Sequence, residues 1–380
     1  MKFSSKCVQS VKASGECQTI NTPIYASTVS RFIDSGQQYY PRYFNTINQE
    51  TISTKIASLE SAEKGIVLSS GMAAISTTLM ALLKPGDHLI VLEEMYGGTI
   101  AFVEEQLKPI GIKVSYVDTA IESIRDAINE KTTMIMVESP TNPFLSIVDL
   151  RELAALAKAK QIITVIDNTF ASPVNQRPIE LGIDISIHSG TKFLSGHSDL
   201  CCGAVVGEEK NIFIIKNHAH HFGGCLNPLD CYLLDRSLKT LDIRVKQQNS
   251  NAKQLVDILS SHETVDSVYY PGLSEHQGSD IAAVQMDAPG SLLSLEFKKN
   301  CISIPQFLNS LNLVTPGISL GGVETTVCSP YLTSHHKMAE QKRKELGITR
   351  DLLRFSIGIE AWEDLASDIL KAIEVARICG

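Results

Sequence analysis

Apolar positions along this chain fall into two rhythms. From about residue 50, short aliphatic and β-branched runs alternate with stretches spaced for helices. Residues 66–68, 88–92, 114–117, 134–137, 162–166, 185–188 and 204–206 read as strands. Residues 73–83, 99–107, 121–128 and 150–159 carry the three-to-four-residue spacing of helices between them. Such alternation predicts βαβ crossovers, a mostly parallel sheet, and ligands held beyond the carboxyl ends of its strands. After about residue 244 the rhythm changes. Residues 291–297 and 353–357 alternate like strands, and 365–378 form an amphipathic helix, which predicts a smaller α/β unit. Residues 1–45 have weak periodicity, broken by Pro23, Gly36 and Pro41, and read as an arm lying on another surface. The expected division is therefore an arm at 1–45, a ligand-binding domain at 46–243 and a C-terminal domain at 244–380.

A length of 380 residues is too great for one simple core. Apolar residues at 43% and charged residues at 20% describe an ordinary globular protein. The net charge of −8 argues against a nucleic-acid partner, which would require a basic face. Nine cysteines, an odd number without a C-x-x-C pair, read as free thiols in a reducing cytoplasm. No apolar run reads as a signal peptide or a membrane span.

The chemistry sits just after the strands. Ser69-Ser70-Gly71-Met72 ends a strand and opens a helix, where free N–H groups and a close backbone approach favour an anion. Alone, that is an ordinary helix start. The β-branched strand ending in Asp167-Asn168-Thr169 is, alone, an ordinary capped loop. His188-Ser189-Gly190-Thr191-Lys192 runs a strand into hydroxyls around one lysine, whose burial would favour a neutral, nucleophilic amine. Alone, it is a surface lysine. Together these supply the parts of a pyridoxal 5'-phosphate (PLP) site. Lys192 offers the amine that bonds the cofactor. Asp167 offers the carboxylate that keeps its ring nitrogen protonated. The Gly71 and Met72 backbone with the Ser189 and Thr191 hydroxyls offer a phosphate cradle. Tyr96 offers an aromatic cover, and Arg354 a bidentate clamp for a substrate carboxylate.

The stretch from Ser189 to Asp199 resembles the lysine signature of the cystathionine γ-synthase, cystathionine γ-lyase and methionine γ-lyase family of PLP enzymes. Glu138-Ser139-Pro140-Thr141-Asn142-Pro143, Tyr96-Gly97-Gly98-Thr99, Ser319-Leu320-Gly321-Gly322 and Leu353-Arg354-Phe355-Ser356 also match, so the likeness spans about Pro23 to Glu360. It implies the aspartate aminotransferase-like fold type I, α/β, with a large mostly parallel sheet, a smaller C-terminal domain and an N-terminal arm. It implies catalytic roles for Lys192 and Tyr96, Asn142 near the cofactor's phenolic oxygen, and Ser319 and Arg354 at the substrate carboxylate. Tyr40 and Arg42 match the family's Y-x-R pair, which reaches the phosphate of a neighbouring subunit. A homotetramer, a dimer of dimers, follows. The family's usual N-P-T after that pair reads Asn45-Thr46-Ile47 here.

Relatives that handle cystathionine place charged groups in the distal groove. The corresponding positions here are Ile318, Tyr39 and Ala101, all uncharged, and a second ammonium and carboxylate would find no partner. The expectation is a methionine γ-lyase-like α,γ-elimination giving thiol, ammonia and 2-oxobutyrate. Against it, Gly98 stands where those lyases carry cysteine. The alternatives are cystathionine γ-synthase, a cystathionine γ- or β-lyase, and O-acetylhomoserine sulfhydrylase. Outside that class stand a catalytically silent PLP-binding protein and an unrelated α/β binding module. His218 to His221 reads as a solvated loop rather than a metal site, His335-His336 as an exposed helix start, and Cys201-Cys202 as core packing.

Overall fold

The computed structural model describes residues 1–9, 11, 19–33, 36, 38–336, 338 and 340–378 of the protein. Cys17 and Cys379, among the cysteines read as free thiols, lie outside the described residues. The other seven form no disulfide.

All seven strands expected in the first part of the chain form, as β1 Lys64–Leu68, β2 His88–Leu92, β3 Lys113–Val117, β4 Thr132–Glu138, β5 Ile163–Asp167, β6 Ile185–Ser189 and β7 Gly203–Gly207. They join one sheet in the order β1-β7-β6-β5-β4-β2-β3. The run from β3 to β6 is parallel, whereas β7 is antiparallel to both β6 and β1. β2 is buried along its whole length because the sheet is covered on both faces, which explains its unbroken apolar run rather than an alternating one. The helix Gly71–Leu82 packs on β6 and β7, while Leu150–Ala159 packs on β5.

A second sheet follows: β8 Val265–Tyr269, β9 Leu292–Phe297, β10 Thr315–Pro316, β11 Thr326–Cys328 and β12 Leu352–Ser356, in the order β10-β11-β12-β9-β8. The sequence pattern exposes β9 and β12, whose central positions are buried. β8, β10 and β11 are half-exposed or only two to three residues long and leave little periodicity. The helix Leu241–Leu259 spans the expected division at 243/244. Leu241 and Val245 pack with the large sheet's underside, and Ala252, Leu255, Val256 and Leu259 with the second core. Within the arm, the helix Phe3–Gln9 buries Cys7 against Ile52 and Ile56 of its own chain.

Three local expectations are corrected. His218, His220 and His221 lie in the helix Glu209–Phe222, not a loop, because Ile212, Ile215 and Ala219 give that segment a buried apolar face. His335 is buried at 3% exposure, in turns that precede the helix Glu340–Glu345, while His336 is exposed. Cys202 is core, but Cys201 is exposed and borders the large cavity beyond the first sheet. Among the described residues, no helix is long and apolar enough to cross a membrane, and no group of three or more His, Cys, Asp or Glu side chains could hold a metal ion.

Candidate active site

A cavity of about 750 Å³ opens beyond the carboxyl ends of β4, β5 and β6. Gly71, Met72, Tyr96, Asn142, Asp167, Ser189, Thr191, Lys192, Ile318, Ser319 and Arg354 all line it. Tyr40 and Arg42 do not. They sit on the turn Pro41–Tyr43, where the Arg42 guanidinium donates to the His220 carbonyl at 2.9 Å and packs over the Tyr40 ring at 5.6 Å. Ile318 represents the expected groove, while neither Tyr39 nor Ala101 is among the lining residues.

Asp167 is the last residue of β5 and is buried. Its Oδ1 accepts from the Thr169 N–H at 3.1 Å and from the Thr169 hydroxyl at 2.5 Å. The Thr169 hydroxyl oxygen also accepts from the Ser189 N–H at 2.8 Å, which ties the ends of β5 and β6 together. Burial pushes the Asp167 carboxyl upward from its ordinary value, and the Thr169 bonds only partly oppose this. Among the described residues Oδ2 has no hydrogen bond. A carboxylate in that condition is completed by a cation or an N–H donor entering from the cavity.

Lys192 follows β6 and donates from Nζ to Ser319 Oγ at 2.7 Å. Burial, then the Arg354 charge, lower its basicity, which is the condition for a nucleophilic amine. Ser319 has φ +90°, a strained conformation for a residue with a Cβ, and is held opposite the lysine. The next turn is equally tight. A Cβ on Gly321 would lie 2.7 Å from the Phe193 nitrogen.

Ser70 caps the helix Gly71–Leu82 by accepting from the Ala73 N–H at 3.0 Å. The Gly71 and Met72 N–H groups are left facing the cavity, at the positive end of the helix dipole. A Cβ on Gly71 would fall 2.9 Å from Ser189 Oγ, so only glycine keeps this cradle open. Thr191 is less free than Ser189. Its hydroxyl donates to the Cys202 carbonyl at 3.2 Å and accepts from the Cys202 N–H at 3.0 Å.

Arg354, in β12, is buried and directs Nη1 to Asn142 Oδ1 at 2.6 Å. Its Nε is buried without a partner. Asn142 is positioned by its loop, which Glu94 fastens by accepting from the Thr141 hydroxyl at 2.5 Å, the Phe144 N–H at 3.0 Å and the Ser146 hydroxyl at 3.0 Å. A buried guanidinium with spare donors fits an anionic group of a ligand. The open carboxylate, the weakened amine, the cradle at the helix start and the spare guanidinium together fit PLP and an amino acid.

Glu138 received no role from the sequence. It ends β4 beside Asp167 in register, lines the cavity, accepts from the Tyr96 N–H at 2.8 Å, and has a buried, unpartnered Oε1. Burial and the neighbouring Asp167 raise its carboxyl well above the usual range. The rule that singled out Asp167, an acid closing a buried strand, applies to Glu138 as well and would have found it. His335, the other omission, borders Asn142 and Arg354.

Residues 4–374 match the family described as Cys/Met metabolism PLP-dependent enzyme. Among curated proteins, the chain is 42% identical to a cystathionine beta-lyase of Coxiella burnetii over 93% of each chain. It is 37% identical to an L-methionine gamma-lyase of Fusobacterium nucleatum over 94% of each. Among solved structures, cystathionine gamma-lyase from Lactobacillus plantarum complexed with L-serine superimposes with a TM-score of 0.96 at 34% identity, covering 99% of both chains.

Proposed function

The chain belongs to the Cys/Met metabolism PLP-dependent enzymes, as a PLP-dependent carbon–sulfur lyase of fold type I acting on a small amino acid, and we propose that its reaction is α,γ-elimination from methionine or a similarly short thioether. The products are a thiol, ammonia and 2-oxobutyrate. The observation that carries this reading is the apolar share of the cavity lining, to which Met72, Ile318 and Leu332 contribute.

When bound, PLP supplies an electron sink for negative charge developing at the substrate's α-carbon. Lys192 would hold it through its amine, Asp167 at the ring nitrogen, and the Gly71 and Met72 N–H groups with Ser189 and Thr191 at the phosphate. Asn142 would lie at its phenolic oxygen and Tyr96 at its face. Arg354 grips the substrate carboxylate with the donors that Asn142 leaves spare, and Ser319 helps it. Once the substrate's own amine has taken its place, the freed Lys192 amine, near Ser319 and lowered in basicity by its surroundings, would take the proton from the α-carbon and then assist at the β-carbon. Tyr96 is held through its backbone by Glu138 and leaves its phenol near the mouth, where it assists the departing γ-thiol. Tyr40 and Arg42 lie outside their own chain's cavity, which supports a neighbouring copy as their destination; the homotetramer, a dimer of dimers, is carried by the family resemblance alone. The division into an arm at 1–45, a cofactor domain at 46–243 and a C-terminal domain at 244–380 completes the proposal.

A cystathionine lyase is the second reading, favoured by the 42% identity to the Coxiella burnetii protein of that name. Ile318 is 78% exposed, so the distal charges of cystathionine would meet water rather than a dry wall. The cost is then lost attraction, not desolvation, and discrimination against cystathionine is modest. Rates on methionine and cystathionine, read as 2-oxobutyrate, pyruvate and thiol, decide between them. The methionine reading expects the larger kcat/KM on methionine. A cystathionine preference above tenfold removes it.

A further inference from the structure

The turn that carries Tyr40 and Arg42 is held on several sides, although both side chains are exposed and neither lines the cavity of its own chain. Asn45 Oδ1 accepts from the Tyr40 N–H at 2.9 Å, while its Nδ2 donates to the Gln38 carbonyl at 2.8 Å. His220 Nε2 lies 3.2 Å from the Tyr43 carbonyl. Gln49 Nε2 donates to the Pro41 carbonyl at 3.0 Å. Above this support, Arg42 directs Nη1 to the His220 carbonyl, and its other guanidinium N–H groups make no hydrogen bond among the described residues. An exposed guanidinium with free donors on a preorganised turn suits the oxygens of an anionic group.

Gln49 is the most deeply placed of these supports. It lies in the first turn of the helix Ile47–Glu60 and is 1% exposed. Its Oε1 accepts from the Thr46 N–H at 3.2 Å, and the Thr46 hydroxyl accepts from the Gln49 N–H at 3.4 Å. This capping box closes the helix start where the chain departs from the family's N-P-T. Nε2 donates a second time, to the Leu226 carbonyl at 2.9 Å. Leu226 is itself buried in the core beneath the large sheet. A buried amide is costly unless its polar groups are paired. Here the pairs join the turn to a helix start and to the core.

We propose that Gln49 is a positioning residue which fixes the turn Pro41–Tyr43, so that Tyr40 and Arg42 meet the cofactor phosphate of a neighbouring copy in one set geometry. The proposal rests on the reading of that pair as phosphate ligands of a neighbouring copy. Pro41 stands between the two residues, so slack at its carbonyl moves both at once.

The test compares equilibrium binding of PLP and of pyridoxal, which lacks the phosphate, to the assembled enzyme. Gln49→Met keeps the approximate size and removes the amide. The PLP dissociation constant should rise about tenfold, the upper end of what one net hydrogen bond contributes, and that for pyridoxal should stay unchanged. A general loosening of the fold would weaken both. Light scattering confirms that native and variant enzymes are compared at the same assembled mass. Asn45→Ala frees the Tyr40 N–H, should weaken PLP alone by about threefold, and serves if Gln49→Met fails to fold or assemble. Asn48, on the same helix, instead accepts from the Tyr25 N–H at 2.9 Å and donates to the Pro23 carbonyl at 2.8 Å. Asn48→Ala therefore loosens the arm before the turn and should leave the ratio of the two constants at its native value. An equal change in Asn48→Ala and Gln49→Met overturns the proposal. Arg42→Ala separates the premise from it. If that variant leaves the ratio at its native value, the premise fails and the proposal with it. If Arg42→Ala weakens PLP alone while Gln49→Met and Asn45→Ala change nothing, only the role of Gln49 is overturned.

Discussion

The floor of the cavity and its mouth are built on opposite principles. On the floor, each functional side chain is fixed by another group. Thr169 holds Asp167, Ser319 holds Lys192, Asn142 meets Arg354, and Glu94 fastens the Asn142 loop. Asp167, Asn142 and Arg354 are all buried. At the mouth, Ile318, Leu332 and Tyr96 are 78%, 61% and 44% exposed. The bond that fixes Tyr96 goes to its backbone, not its phenol. Preorganised polar groups act most strongly where water is excluded and nothing needs to reorganise, so the floor is suited to the steps every substrate shares. An exposed apolar rim can change at little cost to the fold, so the mouth is suited to choosing among substrates. Floor changes should therefore scale all substrates together, and mouth changes should alter their ratio.

The largest expected effect is on the floor. Lys192→Ala removes both the amine that would retain the cofactor and the base that would move the α-proton. Turnover should fall at least ~10³-fold on methionine and cystathionine alike, and the visible absorbance of the cofactor should be lost on dialysis. Rate assays with both substrates and an absorbance spectrum check this. An unequal loss on the two substrates would break the division between floor and mouth.

The two regions are unequally legible in the sequence, for a physical reason. Asp167, Ser189 and Lys192 end or follow strands of strong β-branched pattern, so the pattern alone places them at the strand ends. Arg354 shows in the alternation of β12. The groups that hold them come from distant segments. Ser319 lies 127 residues from Lys192, and Asn142 lies 212 residues from Arg354. No local pattern encodes such meetings. Gly98 shows the same limit from the other side. A Cβ there would stand 2.5 Å from the Tyr96 ring, a close approach that arises only once the turn and the ring are both placed. His335 is misleading in the sequence because a histidine pair in a polar stretch resembles solvated surface. It is buried all the same, in turns whose residues Leu332, Thr333, Ser334 and His336 line the cavity.

That histidine provides the next test of how dry the floor is. Burial first, and then the Arg354 charge, push the His335 imidazole down from 6.5 to about 4. Its Nδ1 lies 2.9 Å from the Ser334 hydroxyl. The unfolded chain takes up a proton near pH 6.5, but the folded protein resists until about pH 4. Between those values the unfolded state binds more protons, so stability is complete above the upper value and declines as the pH falls toward the lower one. The loss by about pH 5 amounts to about 2 kcal/mol. Urea unfolding at about pH 8 and pH 5 should show this extra loss in the native protein and not in His335→Asn. Equal losses in the two proteins would mean that water reaches the imidazole and that the floor is less enclosed than its burial implies.

The smallest effect belongs to the mouth, and its size is as informative as its direction. Ile318→Glu sets a carboxylate where a distal ammonium of cystathionine would pass. The side chain is exposed, so folding stability should be unchanged within about 0.5 kcal/mol. An exposed ion pair contributes at most about 1 kcal/mol, so kcat/KM for cystathionine relative to methionine should rise about fivefold and no further. Steady-state kinetics on the two substrates read this ratio directly. An unchanged ratio would take position 318 off the substrate's path. A hundredfold rise would be too large for a solvated pair, and it would mean that a neighbouring copy of the chain covers this rim in the assembled enzyme. The mouth would then be as dry as the floor, and the contrast between the two regions would belong to the isolated chain rather than to the working enzyme.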